Sequence, residues 1–528
     1  MSDGMRDNAV KVLRVFLYLV LAFGLVAAGI LVYQWHVPEP TPPPVPPEVI
    51  PDFIVAAYDS SAASKAEADY VCDGINDNLE IQAALDALPA EGGVVALSEG
   101  TFHGTGVISP GSRATLMGKD DDSTRIIFSE NGYLHVNQEY VALDGFYARG
   151  TGYSYPVSQR GVIYITAGHV AVRNITATAD HTIQGVFYVH SVPEYKRNIE
   201  NIEFTRCTAD SPGTYGFLHS AKDQAYRVHK NIRYTDCRAI NCGLYSRYNN
   251  WVTGFDFAEH NDVESLHVTR CIAEGNWESG FHFEWEPSKK DVVLIDCVSR
   301  NNGQKPFPEK YSLGGENYFG AGYLAPRGEY TFRNCTAEGN SAYGFFFSYP
   351  NGVYLYDCVD IETGRGKTDH SAVKPTSFFI IQSMLTDANP SIVMENCASV
   401  DSHGLGLYAT LAEHVQIRNF RLTNPAGVDG KGAILGSSQG EIFRDSTVNI
   451  HASGDRVATM LYAMGNMNVI YSGEILSNVE YPFVIDGYGT ANVLVKDMRI
   501  LSSLSPPGSN GILLTSNVPE GAVRITSA

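Results

Sequence analysis

Positive charge is scarce in this sequence of 528 residues: 38 lysines and arginines stand against 58 aspartates and glutamates, a formal net charge of −20. Phosphate backbones are bound by basic surfaces, so a nucleic-acid partner is excluded. Helical patterning is equally sparse. One soluble stretch carries a convincing amphipathic helix, and fifty glycines with abundant Tyr, Phe and Val favour β-structure instead. His135, His169, His219 and His403 are scattered without metal-ligand spacing. Tryptophan is rare, with four in the chain.

What is present is a period. Cysteine recurs at Cys207, Cys237, Cys271, Cys297, Cys335, Cys358 and Cys397, each closing a short apolar segment such as NIEFTRC, VVLIDC or IVMENC, at steps of 23 to 39 residues. The register continues without cysteine through Phe146 and Ile175 before it, and through Phe420, Ser446, Gly473 and Met498 after it. Such spacing marks a solenoid in which one coil stacks on the next. The odd total of nine cysteines is then met most simply by small buried thiols rather than disulfides.

The chain reads in four parts. Residues 1–14 are polar, with Arg6, Lys11 and Arg14. Residues 15–36 hold an uncharged apolar run, Val15 to Tyr33, long enough for a single transmembrane helix, with Tyr33 and Trp35 as an interfacial anchor. The preceding positive residues place the amino terminus in the cytoplasm and the remainder outside it. A cleaved signal peptide fits less well, because VAAG at Val26 to Gly29 is a poor cleavage site. Residues 37–51 carry eight prolines in fifteen positions, an extended spacer. Residues 52–528 are the solenoid.

It opens on the helix, expected at about 77–88, with Asp77 and Glu80 as a capping pair and Leu79, Ile81, Ala84, Leu85 and Leu88 on one apolar face. A short amphipathic helix of this kind covers the exposed terminal rung of a solenoid.

Within each unit, apolar residues fall three before and two after the ladder position. That odd step requires a corner, because strand side chains alternate with period two. The residue before the ladder position is Asn174, Asp236, Asp296, Asn334, Asp357, Asn396, Asn419, Asp445 or Asp497 in most units, the residue types that tolerate a left-handed corner. A second column of glycines, Gly216, Gly254, Gly280, Gly322, Gly344 and Gly406, opens strands reading GFLH, GFDF, GFHF, GYLA, GFFF and GLYA. The first residue after glycine should point inward. The second (Leu218, Asp256, His282, Leu324, Phe346, Tyr408) should point outward. Three strands per coil make a parallel β-helix.

The stretch DGINDNLEIQAALDALPAEGGVVALSEGTF resembles the start of the pectate-lyase-like right-handed parallel β-helices, in which a capping helix precedes a GG-VV…GTF segment. The resemblance covers about 30 residues closely and the rest through its repeat pattern. It implies a fold shared by lyases, hydrolases, epimerases, phage tailspikes and non-catalytic surface proteins. By analogy with the tailspikes, it also implies a trimer as one oligomeric option.

Two units break the regular spacing, between Cys237 and Gly254 and between Cys297 and Gly322, and long loops on a rigid scaffold concentrate binding residues. They should wall one side of a face carrying Asp256, Glu259 and His260 on one rung and His282, Glu284, Trp285 and Glu286 on the next. Tyr245, Arg247, Tyr248, Trp251, Trp277 and Trp285 supply flat aromatic and cationic groups suited to a polysaccharide or surface glycan.

Three chemistries stay open. Carboxyl pairs can hydrolyse glycosides. The resemblance implies a second scheme, in which acids such as Glu259 and Glu286 hold Ca²⁺ against a uronate while Arg327, His282 or Arg247 removes the sugar α-proton. No complete lyase motif accompanies it. The third is glycan binding without catalysis, on a structural or adhesive surface, envelope or virion protein, and the same residues also suit a merely solvated acidic patch. Asp256, His282, Glu284 and Arg327 are the catalytic candidates.

Overall fold

The computed structural model describes residues 50–526 except 130, 152–157, 180–182, 223, 244–251, 305–319, 366–374, 382–391 and 437–442. The apolar run 15–36 lies outside the described residues, and among those described no helix is long and apolar enough to cross a membrane. Residues 51–528 form one compact unit.

Every strand-to-strand pairing among the described residues is parallel, and the strands fall into two long stacks. One sheet has 28 strands and contains the segments on both sides of the Asn/Asp corner; the other has 15 and is built from the glycine strands. Phe146 pairs with Ile175, and Thr205 with Thr235 and then Thr269, so each coil lies directly on the last. The chain is a parallel β-helix.

The corner residues behave as their chemistry requires. Asn174, Asp236, Asp296, Asn334, Asp357, Asn396, Asn419, Asp445 and Asp497 all have φ between 50° and 56°. Their side chains also bond along the stack, as in Asn334 Nδ2 to Asp296 Oδ1 at 2.8 Å and Asn419 Nδ2 to Asn396 Oδ1 at 2.9 Å. The register departs from expectation once. Phe420 pairs with Ile450 rather than Ser446, because the pairing shifts between Ile417 and Phe420.

All nine cysteines are unpaired and buried. Beside the thiol column runs a column of rings, Phe187, Phe217, Phe255, Phe281, Tyr323, Phe345 and Phe378, with centroids 4.6–5.0 Å apart and planes within 9° of parallel. Each such contact contributes about 0.5–1.5 kcal/mol beyond the burial itself. The inward assignment of the residue after glycine therefore holds.

A buried asparagine ladder crowds three of the column glycines, Gly254, Gly280 and Gly322. Asn276 Nδ2 donates to Asn302 Oδ1 at 2.8 Å, and Asn302 Nδ2 to Asn340 Oδ1 at 2.9 Å. A Cβ on Gly280 would stand 2.0 Å from Ser299 Oγ and 2.8 Å from Asn302 Nδ2, so this column is glycine for want of space.

Two helices precede the regular coils, α1 (Ala62–Glu67) and α2 (Asn78–Asp86). The latter buries Asn78, Ile81, Ala84 and Leu85 toward the first strands, whereas Leu79 is 62% exposed, contrary to the expected face. Asp77 occupies the cap position without capping. Its carboxylate accepts from the Gly74 and His103 backbone N–H groups at 2.9 and 2.7 Å instead, which ties the helix to the following coil.

Candidate functional site

The strand Phe255–Glu259 lies directly beside Phe281–His282, with Phe255 opposite Phe281 and Asp256 opposite His282. Alternation sends both phenyl rings into the core and both polar side chains out of it. A bulge after Asp256 inserts one residue, so Glu259 pairs with Ser220. Bulges re-aim side chains in this way at sites on sheets.

The outward column is not exposed, as the alternation alone suggested. Asp256 is fully buried and His282 is 6% exposed. His282 Nδ1 lies 3.4 Å from Asp256 Oδ2 and 3.9 Å from Glu278 Oε1, and its Nε2 lies 3.9 Å from Glu284 Oε1. The His282–Asp256 contact is an ion pair rather than a directed hydrogen bond, since neither facing atom has a hydrogen-bond partner.

The charges reinforce one another. Burial disfavours the His282 imidazolium, but the negative charges of Asp256, Glu278 and Glu284 outweigh it and raise the group to about 10. Burial raises Asp256, and the His282 charge offsets only part of that. Glu259 is pushed up to about 8, by burial first and then by the charges of Asp256 and Glu284. At neutral pH Glu259 therefore keeps its proton. Lys289, 2% exposed, is brought down to about 7 by burial, against the pull of Glu284. Its ammonium donates to the backbone oxygens of Glu284 and Trp285, at 2.5 and 3.5 Å, fastening the turn after the His282 strand.

At the outer edge the Arg327 guanidinium stands 4.6 Å from the Trp285 ring centroid, with the Tyr349 ring edge-on to the indole at 5.0 Å. Arg327 is exposed and its own backbone N–H donates to Ser348 O, at 2.9 Å. A guanidinium stays protonated in proteins, so its chemistry here is that of a fixed cation and not of a base. Trp277 is half-buried against the core, and Glu286 is exposed. Tyr245, Arg247, Tyr248 and Trp251 lie outside the described residues, as do half of the first long connection and most of the second.

The two charged rungs sit between aromatic and apolar ones in a single register. On one side the column runs Leu218, Tyr188, Tyr164 and His135, with the His135 and Tyr164 rings stacked at 5.1 Å. On the other it runs Leu324, Phe346, Phe379 and Tyr408. Leu324, Phe346 and Phe379 form, with Ala321, Ala342 and Tyr343, an apolar cluster separate from the core.

Glu278, Lys289 and Tyr349 were not legible as site residues. Glu278 precedes its glycine, in a turn that a reading of post-glycine strands passes over. Lys289 reads as a surface cation, and only the stacking buries it.

The donors do not suit the Ca²⁺ expected from the resemblance. Among the described residues, the single close-set group of three or more His, Cys, Asp or Glu is Cys72, Asp77 and Glu80, far along the chain from Glu259 and Glu286. Calcium requires six to eight oxygens. Here the carboxylates surround the His282 imidazolium instead.

No family model matches the chain, and no curated protein matches it. Solved structures do. The A-module of the Azotobacter vinelandii mannuronan C-5 epimerase AlgE4 aligns over 86% of this chain and 96% of its own, at 13% identity and a TM-score of 0.34. The catalytic domain of a GH87 α-1,3-glucanase, determined with tetrasaccharides, aligns over 92% and 71%, at 11% identity and a TM-score of 0.39. The catalytic unit of a GH87 α-1,3-glucanase from Streptomyces thermodiastaticus strain HF3-3 aligns over 84% and 66%, at 11% identity and a TM-score of 0.33.

Proposed function

We propose that the outer column of the glycine-strand sheet binds and processes a polysaccharide by acid–base chemistry at the rungs of Asp256 and His282. The observation that supports this most directly is the placing of two charged rungs in one register between leucine rungs, with aromatic rungs beyond them on both sides. Rungs repeat at about 4.8 Å, the scale of a sugar ring, so a chain lying along the axis spans the charged centre within a few rungs.

Glu259 is the general acid, because it keeps its proton to about 8 while Glu284, partly exposed, is placed to activate water or the substrate. Asp256 and Glu278 hold His282 as the imidazolium, which offers a fixed positive charge to developing oxyanionic character. Trp285 and Arg327 form the outer binding edge. Val15 to Tyr33 anchors the protein in a membrane, with the β-helix held outside the cytoplasm by the proline-rich spacer and α2 covering its first coil.

The test is a panel of neutral and acidic polysaccharides incubated with the protein, with and without a chelator, following reducing ends and unsaturated products. Cleavage that disappears in the Asp256→Asn/Glu284→Gln double variant is expected. No binding or turnover by the wild type, or full activity in the double variant, refutes the assignment. Binding without turnover would favour a non-catalytic surface protein instead. For the anchor, the expected result is a membrane fraction released by detergent and not by alkaline carbonate.

A further inference from the structure

The first coil carries a group of side chains that the reading above does not use. Cys72 follows the short strand Tyr70–Val71, Asp77 stands at the start of α2, and Glu80 lies in its first turn. One sulfur and two carboxylate oxygens from these residues lie within 4.8 Å of one another.

Two details separate this group from an ordinary acidic helix start. Cys72 is 2% exposed and its thiol makes no hydrogen bond, whereas the thiols of the core column donate to backbone oxygens. Glu80 Oε2 is sealed from solvent and likewise has no hydrogen-bond partner. A buried carboxylate oxygen without a donor costs about 1–3 kcal/mol or more, so the arrangement calls for a cation.

We propose that Cys72, Asp77 and Glu80 bind one Zn²⁺ ion, which fastens α2 to the strand beneath it. Binding replaces the S–H bond of Cys72 by a sulfur–zinc bond and releases that proton to water; the carboxylates each give one oxygen. Zinc takes sulfur at about 2.3 Å and oxygen at about 2.0–2.2 Å, which sets donors about 3.4–3.6 Å apart around a tetrahedral ion. The observed group closes onto such an ion by a movement of about an ångström. Asp77 is already oriented, since the Gly74 and His103 N–H groups each hold one of its oxygens and leave a lone pair on both. The thiolate selects zinc over Ca²⁺ and Mg²⁺, which prefer oxygen alone.

The experiment titrates Zn²⁺, and Co²⁺ as its coloured substitute, into chelator-treated full-length protein. Expected are one equivalent bound, a thiolate-to-cobalt charge-transfer band in the near ultraviolet, and a raised unfolding temperature with Zn²⁺ and not with Ca²⁺. Cys72→Ala should abolish the band, and Glu80→Gln, at a partly exposed position that leaves the fold intact, should weaken binding at least tenfold. The absence of stoichiometric binding, or a band that survives Cys72→Ala, overturns the proposal. If Cys72→Ala fails to fold, an unchanged Zn²⁺ affinity in Glu80→Gln overturns it equally.

Discussion

Replacing Asp256 by Asn removes a charge without changing the shape of the side chain, and His282 reports the result. The facing atoms are 3.4 Å apart. Two unit charges at that distance interact by about 5 kcal/mol at an effective dielectric of about 20. At 1.36 kcal/mol per tenfold change, this is worth about 3.5 pH units of imidazole basicity. His282 should therefore fall from about 10 to between about 6 and 7, with Glu278 and Glu284 still in place. The imidazole resonances of histidine-labelled protein, followed by NMR and assigned with a His282→Gln variant, give both midpoints. The same change appears in stability. A histidine raised in the folded state contributes stability that is full below about 6.5 and is lost as pH rises through about 10. The wild type should weaken over that alkaline window, and Asp256→Asn should lose most of the dependence. A variant midpoint still above about 9 would show that Asp256 does not hold the imidazolium, and a wild-type midpoint below about 7 would show that burial outweighs the carboxylates.

Other parts of the coil are open to similar tests. His219 Nδ1 lies 3.0 Å from His229 Nδ1, with Tyr234 OH 2.6 Å from His219 Nε2, inside the core. Two imidazoles facing through nitrogen require one neutral acceptor, and burial depresses His219 to about 3. A depressed histidine contributes stability that is full above about 6.5 and is lost as pH falls toward 3, about 3 kcal/mol of it by pH 4. Urea midpoints for wild type and a His219→Gln/His229→Gln variant should converge in acid; parallel curves would refute the assignment. Phe281→Ala empties a site stacked at 4.9 and 5.0 Å on two neighbouring rings and should cost about 3–5 kcal/mol in denaturant titration, with a loss below about 1 kcal/mol as the contrary result. At the corner, Asn334→Ala should cost about 1–2 kcal/mol and Asn334→Gly less, because φ is 51° there; equal losses would mean that the Asn334–Asp296 hydrogen bond matters and the backbone does not.

The parallel β-helix was legible because its rules are local and repeat. A left-handed corner accepts Asn or Asp, a strand alternates its faces, and a repeated apolar position has to stack on its equivalents. Those three facts placed Phe255 inside and Asp256 outside without any coordinates. The limits of the reading are equally physical. The shift that puts Ile450, and not Ser446, beside Phe420 comes from pairing between coils, and Gly254, Gly280 and Gly322 are crowded by an asparagine ladder that only the stacking assembles. Residue order alone could name His282 and Asp256 as neighbours. Their burial, the recruitment of Glu278 from a preceding turn, the folding of Lys289 onto the Glu284 turn, and the resulting order of proton affinities are long-range properties. They depend on which surfaces the stacked coils withdraw from water, and that is decided only when the chain is wound.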